Sequence, residues 1–116
     1  RGAVVAYTAE AKVAVLGVDR GLLDRSGVVS EETALAMAAG ARRVFGADVA
    51  VAVTGSAGPD ALEQSPGTMV LAVETPEAAR ARTLRLPGDR ERVRTYATTA
   101  ALHLVRLGVT GEWWPR

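Results

Sequence analysis

Cysteine is absent from the 116 residues, which excludes disulfide scaffolds, thiolate nucleophiles and cysteine metal sites. A single histidine, His103, leaves no histidine cluster for a transition metal, and neither a metal nor a cofactor is expected. Charge of either sign is nearly balanced. Fourteen Lys+Arg stand against thirteen Asp+Glu, a net +1 that gives no basis for a nucleic-acid partner. No apolar run approaches the roughly eighteen residues of a membrane span, and no signal-peptide pattern opens the sequence, so a cytoplasmic protein is expected. Aromatic side chains are scarce at 4%: Phe45, Tyr7, Tyr96, Trp113 and Trp114.

What is present is alanine, valine and leucine, within a hydrophobic fraction of 48% against 23% charged, the balance of a single globular domain. Small apolar side chains let helices and sheet approach closely, but each buries little area, at about 25 cal/mol per Å². A chain this short buries only about two thirds of its unfolded surface. A missing element would be felt, and a homo-oligomer is a natural remedy. The sequence begins with Arg1 and enters an apolar run at once. That start fits a segment lying inside a longer polypeptide, or a processed terminus.

The pattern predicts a short buried strand at residues 3 to 7 (Ala3, Val4, Val5, Ala6, Tyr7). A short helix follows, capped by Thr8, from about Ala9 to Leu16, then irregular helix over Asp19 to Arg25. Ser30, with Glu31 and Glu32 behind it and Arg42 and Arg43 near the far end, predicts a helix over 31–45 closed by Gly46. Asp48 to Thr54 is almost all Val and Ala, which predicts a central strand covered on both faces. Gly55 to Gly67 reads as a loop, Thr68 to Glu74 as a second interior strand, and Arg80 to Leu86 as a strand partly open to solvent. Asp89 caps a final helix over about 90–107, which Gly108 should stop. Trp113 and Trp114 in the tail from 109 to 116 either cover a core edge or dock on a partner. The order predicts an α/β fold of three α/β/α layers around a mixed sheet, because the adjacent strands at 68–74 and 81–86 suit a hairpin.

Three places could carry chemistry. The run Thr54, Gly55, Ser56, Ala57, Gly58, Pro59 follows what reads as the most buried strand, and function gathers beyond the carboxyl ends of such strands in open α/β sheets. Its glycines can present backbone N–H groups to a phosphate or an oxyanion, or simply form a turn. It is neither a Walker loop nor a dinucleotide fingerprint. Lys12 is the only lysine beside thirteen arginines. A desolvated lysine can release its proton and act as a base, which arginine cannot, and Tyr7 lies five positions away. An ordinary exposed lysine is the plain alternative. Arg90 stands in the first turn of the last helix, against the dipole preference, so it calls for an anion: a bound phosphate, or a salt bridge to Glu10, Glu63 or Glu74. None of the loop hydroxyls lies in a nucleophile-elbow pattern, and His103 reads as packed within a helix.

Taken together, several spaced motifs resemble the C-terminal domain family of competence/damage-inducible protein A (CinA). They are Gly2-Ala3-Val4-Val5-Ala6-Tyr7-Thr8-Ala9-Glu10-Ala11-Lys12, Gly27-Val28-Val29-Ser30-Glu31-Glu32, Ala52-Val53-Thr54-Gly55-Ser56-Ala57-Gly58-Pro59, Pro66-Gly67-Thr68 and Leu86-Pro87-Gly88-Asp89-Arg90. The likeness extends to about Leu107. It implies a serine amidase assisted by a lysine and needing no metal, which hydrolyses nicotinamide mononucleotide to nicotinate mononucleotide and ammonia in pyridine nucleotide salvage. By that likeness Lys12 activates the nucleophile and Tyr7 positions it. Thr54, Gly55, Ser56 and Gly58 hold the substrate or the oxyanion, and Arg90 contacts the phosphate. The family's nucleophilic serine lies in a Ser-x-Thr-Gly-Gly-like motif, on a strand–helix unit preceding the region that begins here, and no such motif occurs in this sequence. Ser56 stands where the family usually has an aliphatic residue. The alternative function is a nucleotide-binding or regulatory module without turnover.

Overall fold

The computed structural model describes residues 1–56 and 66–115. The elements run α1 (Ala9–Ala14), α2 (Arg20–Ser26), α3 (Glu31–Phe45), β1 (Ala50–Ser56), β2 (Thr68–Glu74), β3 (Ala79–Arg85) and α4 (Arg90–Thr110). Each helix starts at a side-chain cap. Thr8, Asp19, Ser30 and Asp89 accept from the backbone N–H of Ala11, Leu22, Thr33 and Arg92 respectively, at 2.9 to 3.2 Å. α3 places Glu31 and Glu32 at its positive end and Arg42 and Arg43 at its negative end, and closes on left-handed Gly46. Its predicted bounds hold to the residue.

The three strands form an antiparallel meander in the order β1-β2-β3, with uninterrupted register from Ala50↔Glu74 to Ser56↔Thr68 and from Thr68↔Arg85 to Glu74↔Ala79. The α/β fold with helices on both sides of a sheet is as the sequence predicts. The sheet differs in one respect: every pairing among the described residues is antiparallel. The short buried strand expected at residues 3–7 joins no ladder among the described residues, and it is not buried: Ala3, Val5 and Tyr7 are exposed and Val4 and Ala6 half-buried.

Two apolar clusters flank the sheet. On one face Leu16, Val18, Leu23, Val29, Ala34, Met37 and Ala38 pack on Ala50, Ala52, Val70 and Ala72. On the other, Val93, Ala97, Ala101, Leu104 and Trp114 pack on Met69, Leu71 and Val73. Small residues permit this closeness. A Cβ on Gly40 would strike the Leu16 carbonyl, so α3 approaches the end of the α1 segment only with glycine at that point. Arg43 then donates to the same Leu16 carbonyl at 2.8 Å.

The strand called central by its composition, β1, is an edge strand. Its even positions are buried, while Val51 and Val53 remain 39% and 37% exposed. β2 is the central strand, buried from Thr68 to Val73. α4 passes through Gly108, where the helix supplies a gap that Trp113 fills, and ends at left-handed Gly111. The tail folds back on its own body. Trp114 donates from Nε1 to the Ala81 carbonyl at 3.1 Å, and its own carbonyl accepts from Arg80 at 2.9 Å. Trp113 meets Trp114 edge to face at 5.4 Å and lies 5.7 Å from the Arg80 guanidinium carbon.

Candidate functional site

A groove of about 1070 Å³ runs between β1 and the amino-terminal segment. Lys12, Tyr7, Thr54, Gly55, Ser56 and Arg90 all line it. Six of the seven residues singled out from the sequence therefore share one wall system; Gly58 lies outside the described residues.

Lys12 gets there by a short-range device. α1 is only six residues long and begins immediately after the extended segment, so its first turn folds back over residues 3–7. The Lys12 side chain is 5% exposed, and Nζ donates to the Ala6 carbonyl at 2.8 Å. The ordinary exposed lysine is thus excluded. A cation taken out of water needs partners, and here it finds backbone carbonyl close by.

Tyr7 and Arg90 meet at the opposite lip. Arg90 donates to the Tyr7 hydroxyl at 3.2 Å across 83 positions of sequence. Tyr7 is 79% exposed, so this pair stands at the mouth of the groove while Lys12 lies within it. None of the acidic partners considered for Arg90 is observed among the described residues. Glu74 pairs instead with Arg42 at 3.0 Å, and Glu63 lies outside those residues.

Thr54 is buried and its hydroxyl donates to the Val28 carbonyl at 3.0 Å. Thr33, on α3, donates to the Gly27 carbonyl at 2.6 Å, and Ser30 donates to that carbonyl at 3.0 Å. These three hydroxyls fix the 27–29 turn as the groove's floor. Sequence reasoning missed that role for Thr33; its only signal was a hydroxyl three positions after a helix cap. Gly55 has a packing reason as well as a chemical one, because a Cβ there would strike Met69 and the Thr68 carbonyl on β2. Ser56 is 1% exposed, and its hydroxyl has no hydrogen-bond partner. It therefore neither bonds Lys12 nor forms a nucleophile–base pair with it. His103, expected to be packed, is exposed on α4 beside Arg106 at 3.2 Å. Among the described residues no group of His, Asp and Glu could hold a metal ion, and no helix is long and apolar enough to cross a membrane.

The family model of the CinA C-terminal domain matches residues 1–108. A CinA-like protein of Frankia casuarinae is 49% identical over 112 residues, covering 96% of this chain and 26% of that protein. A CinA-like protein of Mycobacterium tuberculosis is 49% identical over 113 residues, covering 95% and 26%. The chain thus spans about a quarter of the length of these curated relatives. Among solved structures, a CinA superfamily protein of Escherichia coli superposes with a TM-score of 0.80 at 34% identity, covering 84% of this chain and 58% of that one. The competence/damage inducible protein CihA of Agrobacterium tumefaciens gives 0.81 at 36%, covering 85% and 62%.

Proposed function

The chain belongs to the CinA C-terminal domain family, and on that premise we propose that the protein carrying it hydrolyses the carboxamide of nicotinamide mononucleotide to nicotinate mononucleotide and ammonia. The observation that supports this reading is the burial of the single lysine in the same groove as the Thr54–Ser56 strand end, with Arg90 at the mouth.

In this reading the Lys12 amine takes the proton of a serine hydroxyl as that oxygen attacks the amide carbon. The backbone at Thr54 and Gly55 stabilises the oxyanion. The C–N bond breaks, the proton leaves on ammonia, and water then hydrolyses the acyl-enzyme. Arg90 holds the phosphate outside the groove, and its bond to Tyr7 positions the guanidinium for that contact. In this reading the serine is the one that the family likeness puts before the 116 residues, and Ser56, whose hydroxyl has no hydrogen-bond partner, does not stand in for it.

That same lone Ser56 hydroxyl favours a second reading for the 116 residues alone: a nucleotide-binding module without turnover. The two separate experimentally. In native polypeptide extending upstream of Arg1, nicotinamide mononucleotide should release ammonia. Lys12→Ala should lower kcat by about 10²- to 10⁴-fold, the usual worth of a positioned base. The 116-residue chain should bind the nucleotide by titration calorimetry and release none. Absence of ammonia from the extended polypeptide defeats the amidase reading. Homo-oligomerisation and a cytoplasmic location remain part of the proposal, tested by sedimentation and fractionation.

A further inference from the structure

The hydroxyl oxygen of Thr54 stands 3.0 Å from the Val28 carbonyl oxygen. A carbonyl oxygen can only accept, so the single proton on Thr54 Oγ1 lies in that bond. What Oγ1 has left is lone-pair capacity. Thr54 and Val28 both line the groove. A group that reaches this oxygen from the groove must therefore bring its own hydrogen.

The turn carrying Val28 is held so that this polarity does not reverse. Gly27 has φ +86°, in the left-handed region that favours glycine, and its carbonyl accepts from Thr33 at 2.6 Å and from Ser30 at 3.0 Å. Thr33 is fully buried on α3. Successive carbonyls of the turn are thus committed to opposite walls, Gly27 to α3 and Val28 to β1. Thr54 is fixed from its own side as well. It pairs with Val70 in an unbroken ladder, and Gly55 after it lies tight against Met69 and the Thr68 carbonyl. Turning the Thr54 proton toward a ligand would strip the donor from Val28, while the turn stays pinned to α3. Such a loss is costly where little water reaches, and Thr54 is buried.

We propose that Thr54 is a specificity-determining residue: Oγ1 accepts a hydrogen bond from the NH2 of a primary carboxamide and disfavours a carboxylate in the same place. On the amidase reading, which this assignment presupposes, substrate and product differ at that one group. The carboxamide offers two N–H donors, whereas the carboxylate offers acceptors only. Against a committed lone pair the amide gains a bond and the acid sets oxygen against oxygen. The side chain of Thr54 then takes no part in holding the oxyanion, which needs donors and finds them in backbone N–H groups. The nitrogen that Thr54 holds is the one that leaves as ammonia, so hydrolysis itself removes the contact and favours release of the acid. A protonated Lys12 in the same groove pulls a carboxylate the other way.

Initial-rate kinetics on the native protein that carries this chain test the assignment, through KM for nicotinamide mononucleotide and the inhibition constant Ki of nicotinate mononucleotide. Thr54→Val removes the acceptor at nearly constant shape. KM should rise about tenfold, the worth of one hydrogen bond in a dry site, while Ki stays level or falls. The pull of Lys12 is common to both proteins and cancels in the change of the ratio. Thr54→Ser keeps the hydroxyl and should keep the wild-type ratio of KM to Ki. If Thr54→Val stops turnover, titration calorimetry gives both dissociation constants directly, with the same change of ratio expected. If it does not stay folded, Thr54→Ala decides in its place. A ratio unchanged by removing the hydroxyl, KM and Ki rising together, or a ratio lost in Thr54→Ser overturns the inference and leaves the amidase reading standing. A wild-type protein that releases no ammonia defeats the amidase reading, and the inference falls with it.

Discussion

β1 and β2 are nearly indistinguishable as sequence. One reads Ala-Val-Ala-Val-Thr-Gly-Ser and the other Thr-Met-Val-Leu-Ala-Val-Glu, and both predict a strand wanting cover on two faces and a neighbour on each side. The structure gives β2 all of this and β1 about half. β2 has a strand on either hand, α3 on one face and α4 with Trp114 on the other. β1 has one neighbouring strand, one well-covered face and a groove. An apolar run thus reports what a strand requires; whether the requirement is met depends on which other segments reach it.

The sharpest way to break the contrast is to remove the cover of β2. Trp114→Ala deletes a buried ring together with its bond to Ala81, and should cost about 3–5 kcal/mol in urea denaturation. A loss below about 1 kcal/mol would mean that the tail does not hold that face. Next, matched substitutions compare the strands directly. Val73→Thr places a hydroxyl where no solvent reaches and should cost about 1–3 kcal/mol, whereas Val53→Thr in the same 116-residue chain should stay within about 0.5 kcal/mol. Equal losses would show that β1 is covered after all. Thr54→Val then probes the groove floor. Leaving the Val28 carbonyl unpaired should cost about 1–2 kcal/mol and weaken nucleotide binding, both measurable on one sample by denaturation and calorimetry. The smallest effect is of opposite sign. Ser56→Ala removes a buried hydroxyl that bonds to nothing and should raise stability by up to about 1 kcal/mol.

Much of the fold was legible because its determinants are local. Ser30, Glu31 and Gly46 bound α3 through interactions within one turn, and Asp89 starts α4 in the same way. The far end of α4 was not legible at Gly108. A glycine that ends a helix and one that makes room for Trp113 look alike until the tail is seen to return. The candidate site divides along the same line. Lys12 stood out as the only lysine, and Tyr7 and Arg90 as members of spaced motifs. The bond between Tyr7 and Arg90 spans 83 positions, and no local pattern encodes it. The role of Thr33 was not legible because its partner, the Gly27 carbonyl, belongs to a turn whose position only packing fixes.

What the sequence determined by itself is therefore the set of elements, their caps and the small residues that allow close approach, since caps, dipoles and periodicity act within a few residues. What only the tertiary structure decided is which Val-Ala strand became the centre and which the edge, and the withdrawal of Lys12 from water. It also decided the closing of the β3 edge by the tail. Each depends on contacts between segments far apart in the chain, where burial and pairing are properties of the assembled molecule and of no single stretch of it.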